Sequence, residues 1–313
     1  MICVANSNAK RTAVIGLGRI FAKYQTGLTQ SQTINVVALL DQNENPPSRN
    51  LVKEIPFYND WQKMIDETKP QLIVISTPPK SHYYWIKKAF DAGIDVIVEK
   101  PMVTEIGQID ELYLDAKNNA RLLCTAYHWQ TGEEVAFFNE RFHPSLISEI
   151  EIKIFDPYSD NGTSVKDDRI ALEGCWFDSG VNALSLIKTW LPFDSFCIKD
   201  HDVKFADNVG LPIYSRVVLE IDGIKVIVTI DWTQNASSKV SYIKYDNRQI
   251  IINHSEQKIT DGEKTFCFNS MDRLTRHYFN FFTRKNFQTN YDETKRIHTI
   301  LCAVRDAYEI NHS

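Results

Sequence analysis

The first 125 or so residues alternate short apolar runs with segments whose apolar residues recur at helical spacing. Runs of strand length lie at 13–15, 34–40, 72–75 and 96–98, and helical patterns begin near 19, 59, 83 and 109. Strands that are apolar on both faces and separated by helices are typical of a parallel sheet covered on both sides. The pattern predicts a doubly wound α/β domain over residues 1–127. Asn59, with Gln62 three residues later, is expected to cap the second helix.

The second half of the chain shows strand-like alternation and hairpin turns. Turn pairs occur at Asp222-Gly223, 246–247 and 261–262, each between β-rich runs, and apolar residues alternate along 150–156 and 224–232. Two helical patterns follow at 271–283 and 292–310. These features predict an α+β domain over residues 128–313 with a large, mostly antiparallel sheet, whose C-terminal helix can pack back on the first domain. The boundary is expected between 127 and 144.

Composition agrees with a two-domain globular protein and narrows its partners. The chain has 313 residues, 43% hydrophobic and 24% charged, with a net charge of −5 and no run of Lys or Arg. We therefore expect neither nucleic acid nor a membrane as partner. The first ten residues lack the pattern of a signal peptide. These features predict a cytoplasmic protein.

The six cysteines are scattered, with no pair at metal-ligand spacing, so no metal site is predicted. Their distribution favours free thiols in a reducing compartment. Four of them lie in apolar contexts that predict burial: Cys124, Cys175, Cys197 and Cys302.

A glycine turn follows the first predicted strand and opens the first helix. Gly16 and Gly18 are followed by Arg19 and Ile20, where a dinucleotide-binding turn needs one glycine for the bend and one for close approach of a pyrophosphate. Asp41 ends the second strand, 23 residues beyond Gly18. A carboxylate there binds the adenosine ribose and repels a 2′-phosphate, which favours NAD over NADP while leaving NADP possible.

Three further segments carry a resemblance to a known family. Ser76-Thr77-Pro78, with His82 beyond it, ends one strand, Glu99-Lys100-Pro101 ends the next, and Asp178-Ser179-Gly180-Val181-Asn182 opens a helix in the second half. With the glycine turn, they resemble the glucose–fructose oxidoreductase and inositol dehydrogenase (Gfo/Idh/MocA) family along essentially the whole chain. The resemblance implies a Rossmann domain whose cofactor contacts are Gly16, Gly18, Arg19, Ile20, Asp41, Ser76, Thr77, Pro78, His82, Glu99 and Lys100.

The resemblance also implies an NAD(P)-dependent oxidoreductase acting on a sugar or polyol, held between the two domains. Lys100 is then expected beside the reacting carbon, and Asp178 orients the substrate. The general acid–base histidine of the family falls at Asn182. An asparagine cannot exchange a proton at neutral pH, so the proton transfer is expected to fall to Lys100 or Asp178. Asn182 would hold the hydroxyl by a hydrogen bond, and the three residues form the expected catalytic set.

The second-half segment is most similar to the galactose and arabinose 1-dehydrogenases of that family, which carry asparagine at this position. An anomeric hydroxyl is more acidic than other sugar hydroxyls, so Asp178 or Lys100 can serve as base. If the helix begins at Asp178, Asn182 lies one turn later on the same face.

His128 and Trp232 resemble further sugar contacts of that family. The alternatives are a structural histidine at the domain junction for His128 and a core tryptophan for Trp232. For His82 the alternative to a cofactor contact is a helix cap.

Three functions follow from this resemblance. The first is oxidation of an aldose at C1 to the lactone with hydride transfer to NAD. The second is another sugar, polyol or nucleotide-sugar dehydrogenation. The third is a regulator that binds NAD and sugar without turnover. The family also implies a homodimer or homotetramer formed through the C-terminal sheet.

Overall fold

A computed structural model describes residues 9–268, 271–279 and 290–310. The chain divides into two compact units, one drawn from residues 1–128 and 271–295 and the other from 129–270 and 296–313. The strands are β1 Lys10–Ile15, β2 Ile34–Leu40, β3 Phe57–Tyr58, β4 Leu72–Ile75, β5 Asp95–Glu99, β6 Leu123–Ala126, β7 Ile147–Phe155, β8 Ser159–Asp160, β9 Ser164–Val165, β10 Phe196–Phe205, β11 Pro212–Ile221, β12 Ile224–Asp231, β13 Ser238–Tyr245, β14 Arg248–Asn253, β15 Lys258–Asp261 and β16 Lys264–Cys267. The helices are α1 Arg19–Thr29, α2 Trp61–Thr68, α3 His82–Asp91, α4 Gly107–Asn118, α5 Glu133–Arg141, α6 Val181–Lys188, α7 Arg273–Phe279 and α8 Tyr291–Ile310.

The first unit contains a six-stranded parallel sheet in the order β3-β2-β1-β4-β5-β6. Strand β4 is buried along its whole length, and β1 is buried from Thr12 to Ile15, which includes the apolar run at 13–15. The chain order reverses between β1 and β4, which makes a crevice at the carboxyl ends of these two strands. The predicted doubly wound α/β fold is confirmed, and its ligand-binding edge is defined by the loops after β1, β2, β4 and β5.

Helix α2 corrects one sequence prediction. The helix begins at Trp61, and its cap is Asp60, whose Oδ1 accepts a 2.6 Å hydrogen bond from the Lys63 amide. Asn59 is therefore not the cap, and the prediction was wrong by one residue. The reason is local: Asp60 has the extended backbone of an N-cap, and its carboxylate reaches the amide three residues later.

A segment distant in sequence completes the first unit. Helix α7 packs against α1, and Gly27 permits this approach because a Cβ at that position would lie 2.3 Å from the Thr275 carbonyl oxygen. Leu274 and Tyr278 of α7 join the apolar core formed around Phe21. Of the predicted helix at 271–283, residues 280–283 lie outside the described residues. Residues 1–8, most of the segment that lacks a signal-peptide pattern, lie outside them as well.

The second unit contains an eight-stranded sheet in the order β10-β11-β12-β7-β13-β14-β15-β16. Strands β7 and β12 pair in parallel, and the other neighbouring pairs in this described sheet are antiparallel. The β11–β12 hairpin turns at Asp222 and Gly223, both with positive φ, as the Asp-Gly pair predicts. The predicted large, mostly antiparallel sheet is therefore confirmed.

One cysteine differs from its predicted environment. Cys124, Cys175 and Cys302 are buried, but Cys197 is exposed. Cys197 lies on β10, an edge strand whose residues alternate between half-buried and exposed. An apolar local context does not lead to burial on the outer position of such a strand. No described helix is long and apolar enough to cross a bilayer.

Candidate functional site

The turn after β1 needs its first glycine for internal packing. Gly16 has φ +90°, and a Cβ there would lie 2.7 Å from the Ser76 carbonyl carbon and the Thr77 nitrogen. The Ser76 hydroxyl also donates a 2.7 Å hydrogen bond to the Gly16 carbonyl. Gly16 therefore lets the loops after β1 and β4 touch, and Ser76 fastens them together.

The second glycine leaves room for a ligand. Gly18 is the N-cap of α1, has a negative φ, and has no heavy atom within 4 Å of a Cβ position. No side chain caps α1, and its first turn, which contains Arg19 and Ile20, has no acidic residue. The amides and the positive dipole end of such a helix attract a phosphate group. This end of α1 fits the pyrophosphate of a dinucleotide.

Asp41 is held at the end of β2 by two backbone amides. Its Oδ2 accepts a 2.7 Å bond from the Leu17 amide in the glycine turn, and its Oδ1 accepts a 2.9 Å bond from the Asn43 amide. Each carboxylate oxygen accepts about two hydrogen bonds, so both retain capacity for a ribose hydroxyl. The hydrogen bond from the Leu17 amide joins Asp41, the expected ribose contact, to the glycine turn, the expected pyrophosphate contact. The sequence did not predict this hydrogen bond.

His82 begins α3 and connects two loops at the carboxyl edge. Its ring nitrogens lie 2.7 Å from the Thr77 carbonyl oxygen and 2.9 Å from the Pro101 carbonyl oxygen. The ring is buried, and this burial lowers the pKa of His82. His82 therefore connects the Thr77-Pro78 loop to the Lys100-Pro101 segment, whose peptide bond is cis. Both contacts are to backbone carbonyls, which shows a structural role beyond capping.

Glu99 ends β5 as a buried carboxylate. Its Oε1 accepts a 2.6 Å hydrogen bond from the Tyr278 hydroxyl, while its Oε2 has no hydrogen-bond partner in the described part of the chain. Burial raises the pKa of Glu99, and the Tyr278 hydrogen bond, the charge of Lys100 and the Lys100 backbone amide oppose that rise. Tyr278 is a site residue that sequence reasoning missed, because 179 residues separate it from Glu99.

His128 follows β6 and is also buried. Its burial, and after that the positive charges of Arg273 and Lys100, hold the pKa of His128 well below its usual value. The imidazole is therefore neutral at pH 7, so one of its ring nitrogens donates a hydrogen bond and the other accepts one. This chemistry suits a hydroxyl contact as well as a structural histidine.

The second unit presents Asp178 and Asn182 on an irregular helix start. Residues Trp176–Gly180 form one π-helical turn, and α6 continues from Val181. The segment opens a helix as expected, but the helix starts with a π-helical turn at Trp176 and not at Asp178. The Trp176 indole nitrogen donates to the Leu301 carbonyl at 2.9 Å, and its ring lies 2.8 Å from where a Gly180 Cβ would be. Glycine at 180 thus lets the wide turn close over the tryptophan, and such turns are frequent at functional sites.

Asn182 has an incomplete set of hydrogen bonds. Its Nδ2 donates to the Asp178 carbonyl at 3.2 Å, while its Oδ1 has no partner among the described residues although the side chain is only 8% exposed. The Asp178 carbonyl can only accept a hydrogen bond, so it is the NH₂ group of the Asn182 side chain, and not its oxygen, that faces this carbonyl. The Asp178 carboxylate accepts a 3.2 Å bond from the Ser179 hydroxyl. A buried carbonyl oxygen without a donor is the kind of group that a bound hydroxyl satisfies.

Asp231 and Trp232 have structural contacts in the second unit. The Asp231 carboxylate accepts bonds from the Thr233 amide and hydroxyl and from the Gln234 side chain. Trp232 is completely buried, and its ring meets the Tyr158 ring edge-on at 5.4 Å. These contacts favour the core-packing alternative for Trp232 over stacking on a sugar.

A buried polar series in the second unit was not predicted. The Ser241 hydroxyl lies 2.9 Å from His254 Nε2, and His254 Nδ1 lies 3.0 Å from Glu134 Oε1. The three residues resemble a hydrolase triad in order, but all are buried, and Ser241 has no exposed surface. A nucleophile must reach its substrate, so this series stabilises the packing of α5 on the sheet.

The predicted site residues fall into two groups. The first unit holds Gly16, Gly18, Arg19, Ile20, Asp41, Ser76, Thr77, Pro78, His82, Glu99, Lys100 and His128, while the second holds Asp178, Asn182 and Trp232. Within the first unit, the β1, β2, β4 and β5 ends bring the cofactor residues to one edge of the sheet. Asp178 and Asn182 are in contact within the second.

Comparison with known proteins agrees with this geometry. Residues 10–127 match the family described as "Oxidoreductase family, NAD-binding Rossmann fold" (GFO_IDH_MocA). The uncharacterized oxidoreductase YhhX of Escherichia coli K12 is 28% identical over 118 residues, which are 37% of this chain and 34% of YhhX. The D-glucoside 3-dehydrogenase of the same organism is 23% identical over 149 residues, which are 47% of this chain and 42% of that enzyme. The chain thus matches less than half the length of each.

A solved structure shows that the fold extends over both units. KijD10, a 3-ketoreductase from Actinomadura kijaniata in complex with NADP and TDP-benzene, superposes with a TM-score of 0.80 at 16% identity. The match covers 96% of this chain and 98% of KijD10. With the family match in the first unit, these results assign residues 10–127 to the Gfo/Idh/MocA oxidoreductase family, as an NAD-binding Rossmann domain, and show that the chain shares the fold of KijD10 over both units.

Proposed function

We propose that the chain is an NAD-dependent oxidoreductase that acts on a sugar hydroxyl, and that its reaction is oxidation of an aldose at C1. The observation that supports this proposal is the buried Oδ1 of Asn182, which lacks a donor. A sugar hydroxyl supplies that donor. Asn182 cannot take the hydroxyl proton, so the substrate best suited to the site is the most acidic hydroxyl of the sugar, which is the anomeric one.

The bound dinucleotide supplies the hydride acceptor. NAD held by Asp41 and the N-terminus of α1 would accept the hydride that leaves C1, and the hydroxyl proton would pass to Asp178 or Lys100. The C1–O bond becomes a carbonyl, and the products are a lactone, NADH and one proton. Asn182 orients the hydroxyl, and its bond to the Asp178 carbonyl fixes the amide. Asp41 makes NAD the preferred cofactor, because its carboxylate would repel a 2′-phosphate.

A second reaction within the same proposal is oxidation or reduction at C3 of a sugar or nucleotide sugar. The observation in its favour is that two proteins similar to this chain are a D-glucoside 3-dehydrogenase and a 3-ketoreductase. A C3 hydroxyl is less acidic, so this reaction asks more of Lys100 or Asp178 as base.

The experiment that separates these reactions uses paired substrates. NADH absorbance is measured with NAD and a panel of galactose, arabinose, fucose, glucose and xylose, each as the free sugar and as its methyl glycoside. The methyl group blocks oxidation at C1 and leaves C3 unchanged. Turnover of a free sugar but not of its glycoside supports C1 oxidation. Turnover of both shows oxidation at a carbon other than C1, and NMR of the product then tells C3 from the other positions. Polyols and nucleotide sugars are tested alongside this panel, and tight NAD binding without turnover of any of these compounds would support a regulator.

Assembly and compartment are also part of the proposal. We propose a homodimer or homotetramer formed through the sheet of the second unit, in a cytoplasmic protein. Light scattering of the purified chain measures the first point. A monomer at micromolar concentration would contradict it.

A further inference from the structure

We propose that Tyr278 is a positioning residue of the NAD site, which holds the Glu99 carboxylate so that its second oxygen accepts a hydrogen bond from the nicotinamide half of the dinucleotide. Helix α7, which lies far from the Rossmann motifs in sequence, then belongs to the cofactor site. The inference rests on NAD binding by the first unit and not on the choice of sugar.

The first step is the state of the Glu99 carboxylate. Glu99 is 4% exposed, its Oε1 is bound by the Tyr278 hydroxyl at 2.6 Å, and its Oε2 has no hydrogen-bond partner among the described residues. Buried carboxylate oxygens are costly unless a donor satisfies them. Because one oxygen is fixed by Tyr278, the carboxylate cannot rotate freely, and the direction of the other oxygen is set.

The second step is the location of Glu99 in the sheet. Asp41 follows β2 and Glu99 ends β5, so the strand order places them on opposite sides of the β1–β4 switch point. The N-terminus of α1, after β1, lies between them along the edge. A dinucleotide whose adenosine binds at Asp41 and whose pyrophosphate binds at α1 therefore extends its nicotinamide half towards β5. Its ribose hydroxyls and carboxamide are the donors available there.

The third step is how firmly Tyr278 is held. The Tyr278 ring is completely buried and stacks on the Tyr24 ring of α1 with 4.1 Å between ring centroids. The close approach of Gly27 to Thr275 fixes α7 on the same helix. The Tyr278 hydroxyl therefore has little freedom, which is what positioning requires.

Tyr24 offers a matched control. It is as deeply buried as Tyr278 and shares the same stack, but its hydroxyl does not bond Glu99 and faces the Ser76 side chain, which opposes the rise in the pKa of Tyr24. Glu99 adds to the rise that burial causes in the pKa of Tyr24, so both rings lie near the same carboxylate. Replacement of either tyrosine by phenylalanine removes one buried hydroxyl and keeps the stack, but only Tyr278→Phe removes the bond to Glu99.

The test compares the affinities of native chain, Tyr278→Phe and Tyr24→Phe for NAD and for ADP by calorimetry. ADP carries the adenosine and pyrophosphate but no nicotinamide half. We expect Tyr278→Phe to weaken NAD binding about tenfold, as for loss of a hydrogen bond to a charged group, with ADP affinity within about twofold of native. Tyr24→Phe should leave both affinities within about twofold. An NAD affinity of Tyr278→Phe equal to native, or an equal loss of NAD and ADP affinity, would overturn the proposal.

A double-mutant cycle separates positioning from general loss of packing. Glu99→Gln should also weaken NAD selectively, and Tyr278→Phe should have little further effect in that background, because the two residues act through one carboxylate. Additive losses would show that Tyr278 does not act through Glu99 and would overturn the assignment. The melting temperature of each ligand-free variant is measured alongside, and Tyr24→Phe serves as the reference for any shift.

Discussion

The carboxyl edge of the first unit and the π-helical turn of the second unit are built in different ways. At the carboxyl edge, backbone groups hold the functional side chains: two amides bind Asp41, and His82 contacts two carbonyls. At the π-helical turn, Asn182 keeps a buried acceptor without a donor. The comparison shows that the fold holds the side chains of the cofactor edge in place, even Glu99, whose second oxygen has no described donor, whereas at the second site the acceptor without a described donor is the group proposed to hold the substrate. In the proposed reaction, the choice of substrate hydroxyl therefore depends on a few side chains of the second unit, Asn182 among them.

The largest expected effect comes from Lys100, which follows Glu99 at the cofactor edge. Lys100→Met removes the charge and keeps most of the stem, so turnover should fall by about 10²–10⁴-fold if the lysine moves or stabilises a proton. NAD affinity should change little, because Asp41 and the α1 N-terminus remain. Steady-state kinetics and calorimetry measure the two quantities.

The control for this change is Lys53→Met, an exposed lysine of the same unit. It should leave both turnover and NAD affinity at the native level. Full turnover in Lys100→Met would exclude Lys100 from the chemistry and leave Asp178 as the base.

Replacement of the two glycines of the cofactor turn by alanine should affect different properties: stability at Gly16 and NAD binding at Gly18. Gly16→Ala places a Cβ 2.7 Å from backbone atoms at a φ of +90°, so we expect a loss of about 1–3 kcal/mol in the free energy of unfolding. Gly18→Ala meets no atom within 4 Å and should change stability by less than about 0.5 kcal/mol while weakening NAD binding. Urea unfolding and NAD titration measure the pair. Equal stability losses would contradict the distinction.

These glycines also show how far sequence reasoning reaches. The bounds of β2 and the start of α1 at Arg19 follow from apolar runs and glycine spacing, and the structure confirms both. Such features depend on neighbours in the chain. The π-helical turn at Trp176 depends on a contact with Leu301, and the partner of Glu99 is Tyr278. No local pattern encodes contacts between residues more than a hundred positions apart, so these parts of the sites could not be predicted.

A smaller effect is expected for cofactor choice at Asp41. The double replacement Asp41→Ser with Gln42→Arg removes the like charge that opposes a 2′-phosphate and adds a positive one. We expect the ratio of NADP to NAD affinity to rise about tenfold or more, which corresponds to about 1.4 kcal/mol. Calorimetry with each cofactor measures the ratio. A native chain that binds NADP as tightly as NAD would contradict the role given to Asp41.

The central claim is that Asn182 holds the reacting hydroxyl of a sugar. Its most direct test is NADH production by the native chain, Asn182→Ala and Asn182→His on the paired sugar panel, with NAD affinity measured for each. We predict turnover of at least one free aldose by the native chain, a fall of about tenfold or more in Asn182→Ala, and unchanged NAD affinity. The native chain should be active on aldoses without the change Asn182→His. A native chain inert on every sugar, or an Asn182→Ala variant as active as native, would contradict the claim.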